Sequence, residues 1–306
     1  IEGSLFHLCG GHVFNSKKTD VLDWFWSQFN KEEEFSKADR NSVIVMGDES
    51  KIPYPIENYI YLMNKTIQKS IIEELLTIDK EKRNSINFEE FLLNRFGDTL
   101  YRLYFKPYNE KVWKCDLKDV SLSWLEGKLP MPSVNEIFYN NMNHVQEKEF
   151  VHSQFYYENK EGSQYIADKL AKNLNVVYNA HIEDVELQEN GLIKVNGENY
   201  DCLLFCGNIK QLPSLLKNVD LSEFTDDINN LSYHGTTSVF CEIDKNPYSW
   251  IYLPSPNYQS HRIICTGNFN PSNNAEGKMT GTIEFTDFVT EEDLKKNLKK
   301  MPFNPK

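Results

Sequence analysis

The chain has 306 residues, 40% of them apolar and 25% charged, and a formal net charge of −12. That length can bury a sizeable core in one large domain or two ordinary ones, and the acidic balance argues against nucleic acid or an anionic membrane as partner. No stretch approaches the roughly 20 apolar residues of a membrane span, and the N-terminus lacks the basic-then-apolar pattern of a secretion signal, so a cytoplasmic location is expected.

Residues 1–15 read as a strand running into a turn at Gly10-Gly11, where the missing side chains allow a bend or a close approach to something flat. Val21, Leu22, Trp24, Phe25 and Phe29 have helical spacing, with Asp20 and Asp23 near the helix start. Residues 42–46 and 51–55 bracket Gly47-Asp48 as two short strands joined by a hairpin turn. Apolar residues then recur at three- and four-residue spacing over 58–76 and 87–105, which predicts a helical insertion whose second helix opens on the acids Glu89 and Glu90. The pattern over 122–129 continues helical until Pro130 and Pro132.

Between these helical runs lies the densest aromatic stretch, Tyr104-Phe105-Lys106-Pro107-Tyr108-Asn109-Glu110-Lys111-Val112-Trp113. Pro107 lacks an N–H and disrupts a helix interior, so the preceding helix is expected to end there in an irregular segment. The rings of Tyr104, Phe105, Tyr108 and Trp113 can then line a cavity or fill the core beneath a loop.

From about residue 150 the period switches to two. Strands are expected over 151–157 and 176–178, with an amphipathic helix over 162–174 between them. A hairpin joins 182–187 to 192–195 through Asn190-Gly191, and Asn196-Gly197 turns the chain again. The continuous apolar run Cys202-Leu203-Leu204-Phe205-Cys206 predicts a strand buried on both faces and ending at Gly207, where ligands commonly sit in such sheets. Further strands are expected over 232–243, 250–253 and 262–267, and a polar helix from 291. The six cysteines include no Cys-x-x-Cys and have no histidine at zinc-ligand spacing, so they read as reduced thiols and no metal is expected. His152, His181, His234 and His261 have no nucleophile partner at motif spacing, and no catalytic residue is assigned.

The ordered set Gly11-His12-Val13-Phe14, a Trp-bearing helix, Ile52-Pro53-Tyr54-Pro55, residues 105–113, Leu129-Pro130, residues 155–162 and residues 201–207 resembles UDP-galactopyranose mutase and the related protoporphyrinogen-oxidase and amine-oxidase-like flavoproteins. The resemblance covers most of residues 3–285. It implies an α+β fold with α/β-like character, a partial glutathione-reductase-type FAD-binding architecture carrying an antiparallel substrate-domain sheet and a helical insertion. The corresponding division places a discontinuous, incomplete flavin- and substrate-binding core at 1–55 and 150–290, the insertion at 56–149 and a tail at 291–306. It also implies FAD as cofactor, met by Gly10, Gly11, His12, Ile182 and Gly207, and a small-molecule substrate, a nucleotide sugar among the candidates, met by Tyr104, Phe105, Tyr108, Trp113 and Lys128. Stacking a base on such rings contributes about 1–3 kcal/mol.

Three departures bear on function. Asn15 stands where the mutases carry a second histidine, and Lys128 stands where they carry arginines that grip a diphosphate, without the bidentate fork of a guanidinium. No Gly-x-Gly-x-x-Gly occurs anywhere in the 306 residues, although that loop presents backbone N–H groups to a dinucleotide pyrophosphate. The expectation is therefore an internal part of a longer flavoprotein that binds FAD weakly or not at all by itself. Its class is an oxidoreductase of cell-envelope polysaccharide or nucleotide-sugar metabolism; a mutase-like isomerase and a non-catalytic remnant are the alternatives.

Overall fold

A computed structural model describes residues 1–16, 18–80, 84–125, 132–146 and 154–306. The chain packs as two compact units, Ile1–Leu170 with Gly235–Lys306, and Ala171–His234. Along the first part run α1 (Thr19–Gln28), α2 (Lys31–Glu34), β1 (Phe35–Asp39), β2 (Ser42–Val45) and β3 (Lys51–Pro53), then α3 (Lys65–Lys80), α4 (Phe88–Leu100), α5 (Lys106–Trp113), α6 (Val134–Asn143), β4 (Gln154–Glu158) and α7 (Gln164–Ala171). The smaller unit holds β5 (Val185–Leu187), β6 (Ile193–Val195), β7 (Glu198–Tyr200), α8 (Leu212–Leu215) and α9 (Ser222–Asn230). The chain then returns to the larger unit as β8 (Thr236–Glu242), β9 (Trp250–Tyr252), β10 (Arg262–Ile264), β11 (Thr280–Thr286) and α10 (Glu291–Leu298). The class is α+β.

The larger unit is organised on a six-stranded sheet in the order β3-β2-β9-β10-β11-β8. Its pairs are antiparallel except β2 with β9. Alternation along each strand splits its side chains between two cores. Ile44, Trp250, Tyr252 and Ile264 join the core shared with the helices, whereas Val43, Val45, Ile251, Ile263, Ile283 and Phe285 face a second core closed by Val289 and Met301. Covering both faces is why β2 reads as an uninterrupted apolar run. The C-terminal residues complete that second layer, with Lys306 exchanging two backbone hydrogen bonds with Glu242. Separately, β1 pairs with β4, and Phe25, Phe29 and Phe35 form a small aromatic core with Phe14 and Trp26 packed against it.

Local chemistry sets the helix ends. The Asn87 side chain accepts the Glu90 N–H at the start of α4. Within α4, Gly97 adopts φ 82°, ψ 167° and breaks the regular coil. Glu74 of α3 restarts it by accepting the Thr99 N–H at 2.9 Å and the Thr99 hydroxyl at 2.6 Å. A Cβ at Gly97 would lie 2.4 Å from that carboxylate.

The aromatic stretch departs from its sequence reading. Residues 101–105 form a π-helical turn that runs directly into α5, with Pro107 in the first turn of α5. Proline is accommodated where the coil changes from π to α spacing: Lys106 still donates its N–H to the Tyr101 carbonyl five residues back, and Pro107, the next residue, has no N–H to place.

Residues 122–125 form a bend and turn instead of helix, and the residues before Gly10 form a turn at Glu2-Gly3 and a bend at residues 8–9, with no named strand. Lys128, Leu129, Pro130 and residues 151–153 lie outside the described residues.

In the smaller unit β5, β6 and β7 make an antiparallel meander with the expected turns at Asn190-Gly191 and Asn196-Gly197. Asn196 and Asn218 brace it by side-chain hydrogen bonds to the backbone of residues 181–184 and 187. Neither 176–178 nor 202–206 forms a strand, and residues 201–207 are exposed throughout. Extended backbone becomes a buried strand only beside neighbours that take its N–H and C=O groups, and among the described residues nothing pairs with this run.

Candidate functional site

The larger unit contains a cavity of about 160 Å³. Tyr54 and Glu57 reach it from the turn after β3, Phe96 from α4, and Tyr104 and Phe105 from the π-helical turn. Tyr108 and Asn109 come from α5, Tyr252 from β9 and Arg262 from β10. The π turn and α5 place Tyr104 and Tyr108 one turn apart on one face, so their rings stack at 5.5 Å. Tyr108 meets Tyr252 edge-on at 5.4 Å, and Tyr54 lies 5.1 Å from Tyr252. Burial pushes the Tyr54, Tyr104 and Tyr108 phenols well above their ordinary range, so all three stay neutral. Arg40 Nη2 donates to Tyr252 Oη at 3.0 Å while its guanidinium lies over the Tyr54 ring at 5.1 Å.

One carboxylate ties the cavity to the diglycine bend. Arg262 and Glu284 stand directly opposite one another on β10 and β11. Glu284 Oε2 accepts from Arg262 Nε and lies 3.6 Å from His261 Nε2, while Oε1 accepts the Gly10 N–H at 3.0 Å. Burial alone would raise Glu284; its bond to His261 and the charge of Arg262 prevail and bring it down to about 2. Burial lowers His261, which favours its neutral form. Two hydrogen bonds through Glu284 therefore link the Gly10 backbone to the cavity wall.

The bend itself is pressed against the sheet. Gly10 has φ 64°, a conformation that glycine adopts without cost, and a Cβ on Gly11 would lie 2.8 Å from Ile264, 3.2 Å from Trp250 and 3.3 Å from Phe269. His12 is exposed; its N–H donates to His7 Nδ1 at 3.1 Å. Because Nδ1 accepts, the ring proton of neutral His7 sits on Nε2 and is donated to Tyr157 Oη at 2.7 Å. Burial, with His12 nearby, lowers His7 to about 4, so this arrangement persists at neutral pH. Asn15 donates to the Gln154 carbonyl and so ties the bend to β4.

Of the residues singled out from the sequence, Tyr104, Phe105 and Tyr108 line the cavity, and Gly10, Gly11 and His12 form the bend linked to it. Trp113 points elsewhere, its ring 5.0 Å from Trp124 against the helical core. Ile182 and Gly207 belong to the smaller unit; Ile182 is 38% exposed, and the Phe205 ring covers the Gly207 backbone. Lys128 lies outside the described residues. Sequence reading missed Glu57, Tyr252, Arg262 and Glu284. Glu57 lies two residues past the Ile52-Pro53-Tyr54-Pro55 segment that carried part of the resemblance, whereas Tyr252, Arg262 and Glu284 meet through strand register and left no motif.

No family model matches the sequence. Among solved structures, reduced UDP-galactopyranose mutase superposes with a TM-score of 0.81 at 20% identity, covering 97% of this chain and 66% of that one. A protoporphyrinogen-oxidase-type protein from Exiguobacterium sp. 255-15 gives 0.63 at 14% identity, covering 92% and 67%. A putrescine oxidase redesigned in cofactor binding gives 0.59 at 11% identity, covering 94% and 68%. The chain thus spans about two thirds of the length of these proteins. Its fold is the one that UDP-galactopyranose mutase, the protoporphyrinogen-oxidase type and putrescine oxidase share.

Proposed function

We propose that this chain is the substrate-binding part of a flavin-dependent enzyme acting on a nucleotide sugar, with isomerisation of the mutase kind as its chemistry. The observation that carries the reading is the cavity, where stacked phenols and a guanidinium share one wall. Rings supply faces for a base or sugar. Arg262, whose Nε is engaged by Glu284, offers its remaining donors to an anionic oxygen. That arginine takes the part the sequence expectation gave to Lys128.

FAD is the cofactor implied by the resemblance and by the shared fold. The Gly10-Gly11-His12 bend is open to a flat ring system: Gly11 lies flush on Ile264, Trp250 and Phe269, a Cβ on Gly10 would meet only the His12 ring, and His12 is exposed. The 306 residues hold no glycine-rich loop for the pyrophosphate. When bound, the flavin would supply the electron chemistry. This chain's own residues bind and orient: Tyr104 and Tyr108 present ring faces, and Arg262 neutralises charge. His7 fixes the bend by accepting the His12 N–H.

The smaller unit supports the reading that the chain belongs to a longer flavoprotein. Leu204 is 85% exposed and Val177 70%, an apolar surface that this unit does not cover for itself. No helix among the described residues is long and apolar enough to cross a membrane.

The test supplies the purified chain with FAD and dithionite and assays interconversion of the pyranose and furanose forms of UDP-galactose. Conversion supports the isomerase. Calorimetric binding of UDP-galactose without conversion favours a binding module, and oxidation of the sugar without ring contraction favours the oxidoreductase. Absence of saturable binding overturns the nucleotide-sugar reading.

A further inference from the structure

Glu57 is 3% exposed and sits in a short 3-10 turn, Ile56–Asn58, whose three residues are all buried. Its backbone carbonyl is held by Asn141 Nδ2 at 2.8 Å, which fixes the turn against α6. Its side chain faces the cavity, and among the described residues its carboxyl accepts from no group except its own backbone N–H. A buried carboxylate normally recruits a cation or several donors, because an unpaired charge in an apolar site costs several kcal/mol, about the penalty of an unmatched ion. Neither arginine near the cavity bonds Glu57: Arg262 is held through Nε by Glu284, its other donors left to the cavity, and Arg40 is held by Tyr252 and Ser42.

We propose that Glu57 is a neutral carboxylic acid that donates its proton in a hydrogen bond to an oxygen of the bound ligand, and that it thereby selects ligands presenting a hydroxyl, carbonyl or phosphoryl oxygen over amines. The assignment rests on the cavity being the ligand site, and it deepens the nucleotide-sugar reading. An amine would instead need a free carboxylate, and the other carboxylate nearby, Glu284, is consumed by Gly10, His261 and Arg262. Burial raises the Glu57 carboxyl to about 7, so the proton is held below that pH and lost above it. The groups facing it are the phenols of Tyr54, Tyr104, Tyr108 and Tyr252 and the guanidinium of Arg262, with Arg40 behind Tyr54. The first three phenols are raised by burial, and no arginine titrates below pH 9. Lys111 is lowered by burial to about 7, but its Nζ is bound by the carbonyls of Leu253, Ser255 and Ser260. Its titration persists when Glu57 is changed.

Two measurements on the full 306-residue chain test the assignment, with Glu57→Gln as the variant that keeps a donor and the shape but cannot ionise. The first needs no ligand: carbon-13 spectra of glutamate carboxyls should show one resonance with a midpoint near 7, absent from Glu57→Gln. If every carboxyl titrates in the ordinary acid range, the assignment is wrong. The second is calorimetry with UDP-galactose at pH 6 and pH 8.5. The unmodified chain should bind about thirtyfold more weakly at the higher pH, as expected when only the protonated form binds, and Glu57→Gln should bind equally at both. Equal binding of UDP-galactose by the unmodified chain at both values overturns the role of Glu57 and leaves the nucleotide-sugar reading intact. Putrescine binding that tightens from pH 6 to pH 8.5 and is lost in Glu57→Gln also overturns it, in favour of an ionised Glu57 and an amine ligand. If neither probe binds, the nucleotide-sugar reading falls and donation to a ligand falls with it, even where the carboxyl titrates as expected.

Discussion

All seven residues of β11, Thr-Gly-Thr-Ile-Glu-Phe-Thr, are buried, whereas all seven residues 201–207, Asp-Cys-Leu-Leu-Phe-Cys-Gly, are exposed. The second run is the more apolar of the two. What differs is company: β11 has β10 on one side and β8 on the other, and residues 201–207 have no strand beside them among the described residues. Paired neighbours satisfy a backbone and so permit even Glu284 to be buried, while apolar side chains alone cannot bury a backbone that lacks partners. The same contrast holds for whole units. In the smaller one Val185 and Ile228 are the buried apolar residues among those described, against two large cores and an aromatic one in the larger. A unit with so little core has little to set against its conformational entropy.

The largest expected consequence is in amide exchange. Amides of β11 should exchange only through global opening, on the order of 5–15 kcal/mol for a domain, and those of 201–207 almost without protection. Slow exchange over 201–207 would break the comparison and point to a partner covering that run in solution. Next come the two phenylalanines: Phe285→Ala, at a fully buried site, should cost about 3–5 kcal/mol in urea unfolding, and Phe205→Ala less than about 1 kcal/mol. Similar losses for both would mean that Phe205 is packed as deeply as Phe285.

Glu284→Gln removes the charge that offsets Arg262 and weakens the bond to Gly10, with an expected cost of about 2–3 kcal/mol near neutral pH, less than for a wholly buried pair because Arg262 is about a third exposed. The sign with pH is definite. A carboxyl held at about 2 when folded and at 4.5 when unfolded stabilises the fold above 4.5, and that contribution disappears as pH falls toward 2. The unmodified chain should therefore lose stability over this interval more steeply than Glu284→Gln does. Gly11→Ala should cost about 1–3 kcal/mol by overpacking against Ile264, Trp250 and Phe269, read as a lowered urea midpoint.

Opposite in direction, and confined to high pH, is Glu57→Gln. A carboxyl raised from 4.5 to about 7 by folding loses stability as pH rises through that interval. The amide variant should match the unmodified chain near pH 4 and exceed it by about 3 kcal/mol at pH 8.5. A residue that weakens the fold at neutral pH is better explained by what it does for a ligand than by packing.

Much of the architecture follows from local rules written in the chain. Asn87 marks a helix start, Asn190-Gly191 and Asn196-Gly197 close tight turns, and the spacing of Leu92, Phe96 and Leu100 marks a buried helical face. Such signals survive in sequence because each depends on residues a few positions apart. The aromatic stretch was legible as a cavity wall and illegible in shape: Pro107 reads as a helix stop, yet a π-helical turn before it places it where a helix begins. The fate of Cys202-Leu203-Leu204-Phe205-Cys206 was also hidden, since hydrophobicity says what a strand would bury and not whether anything lies beside it.

Local sequence thus determined the helices, the turns and the rings available to a site. Tertiary structure alone decided that Arg262 faces Glu284, that Glu284 holds Gly10, and that among the described residues no cation bonds Glu57 in a ring-lined cavity. Those outcomes depend on strand register and on burial across separations of tens to hundreds of residues. A carboxyl has the same side chain in every sequence; its surroundings set whether it is an ion that binds a backbone or an acid that offers a proton.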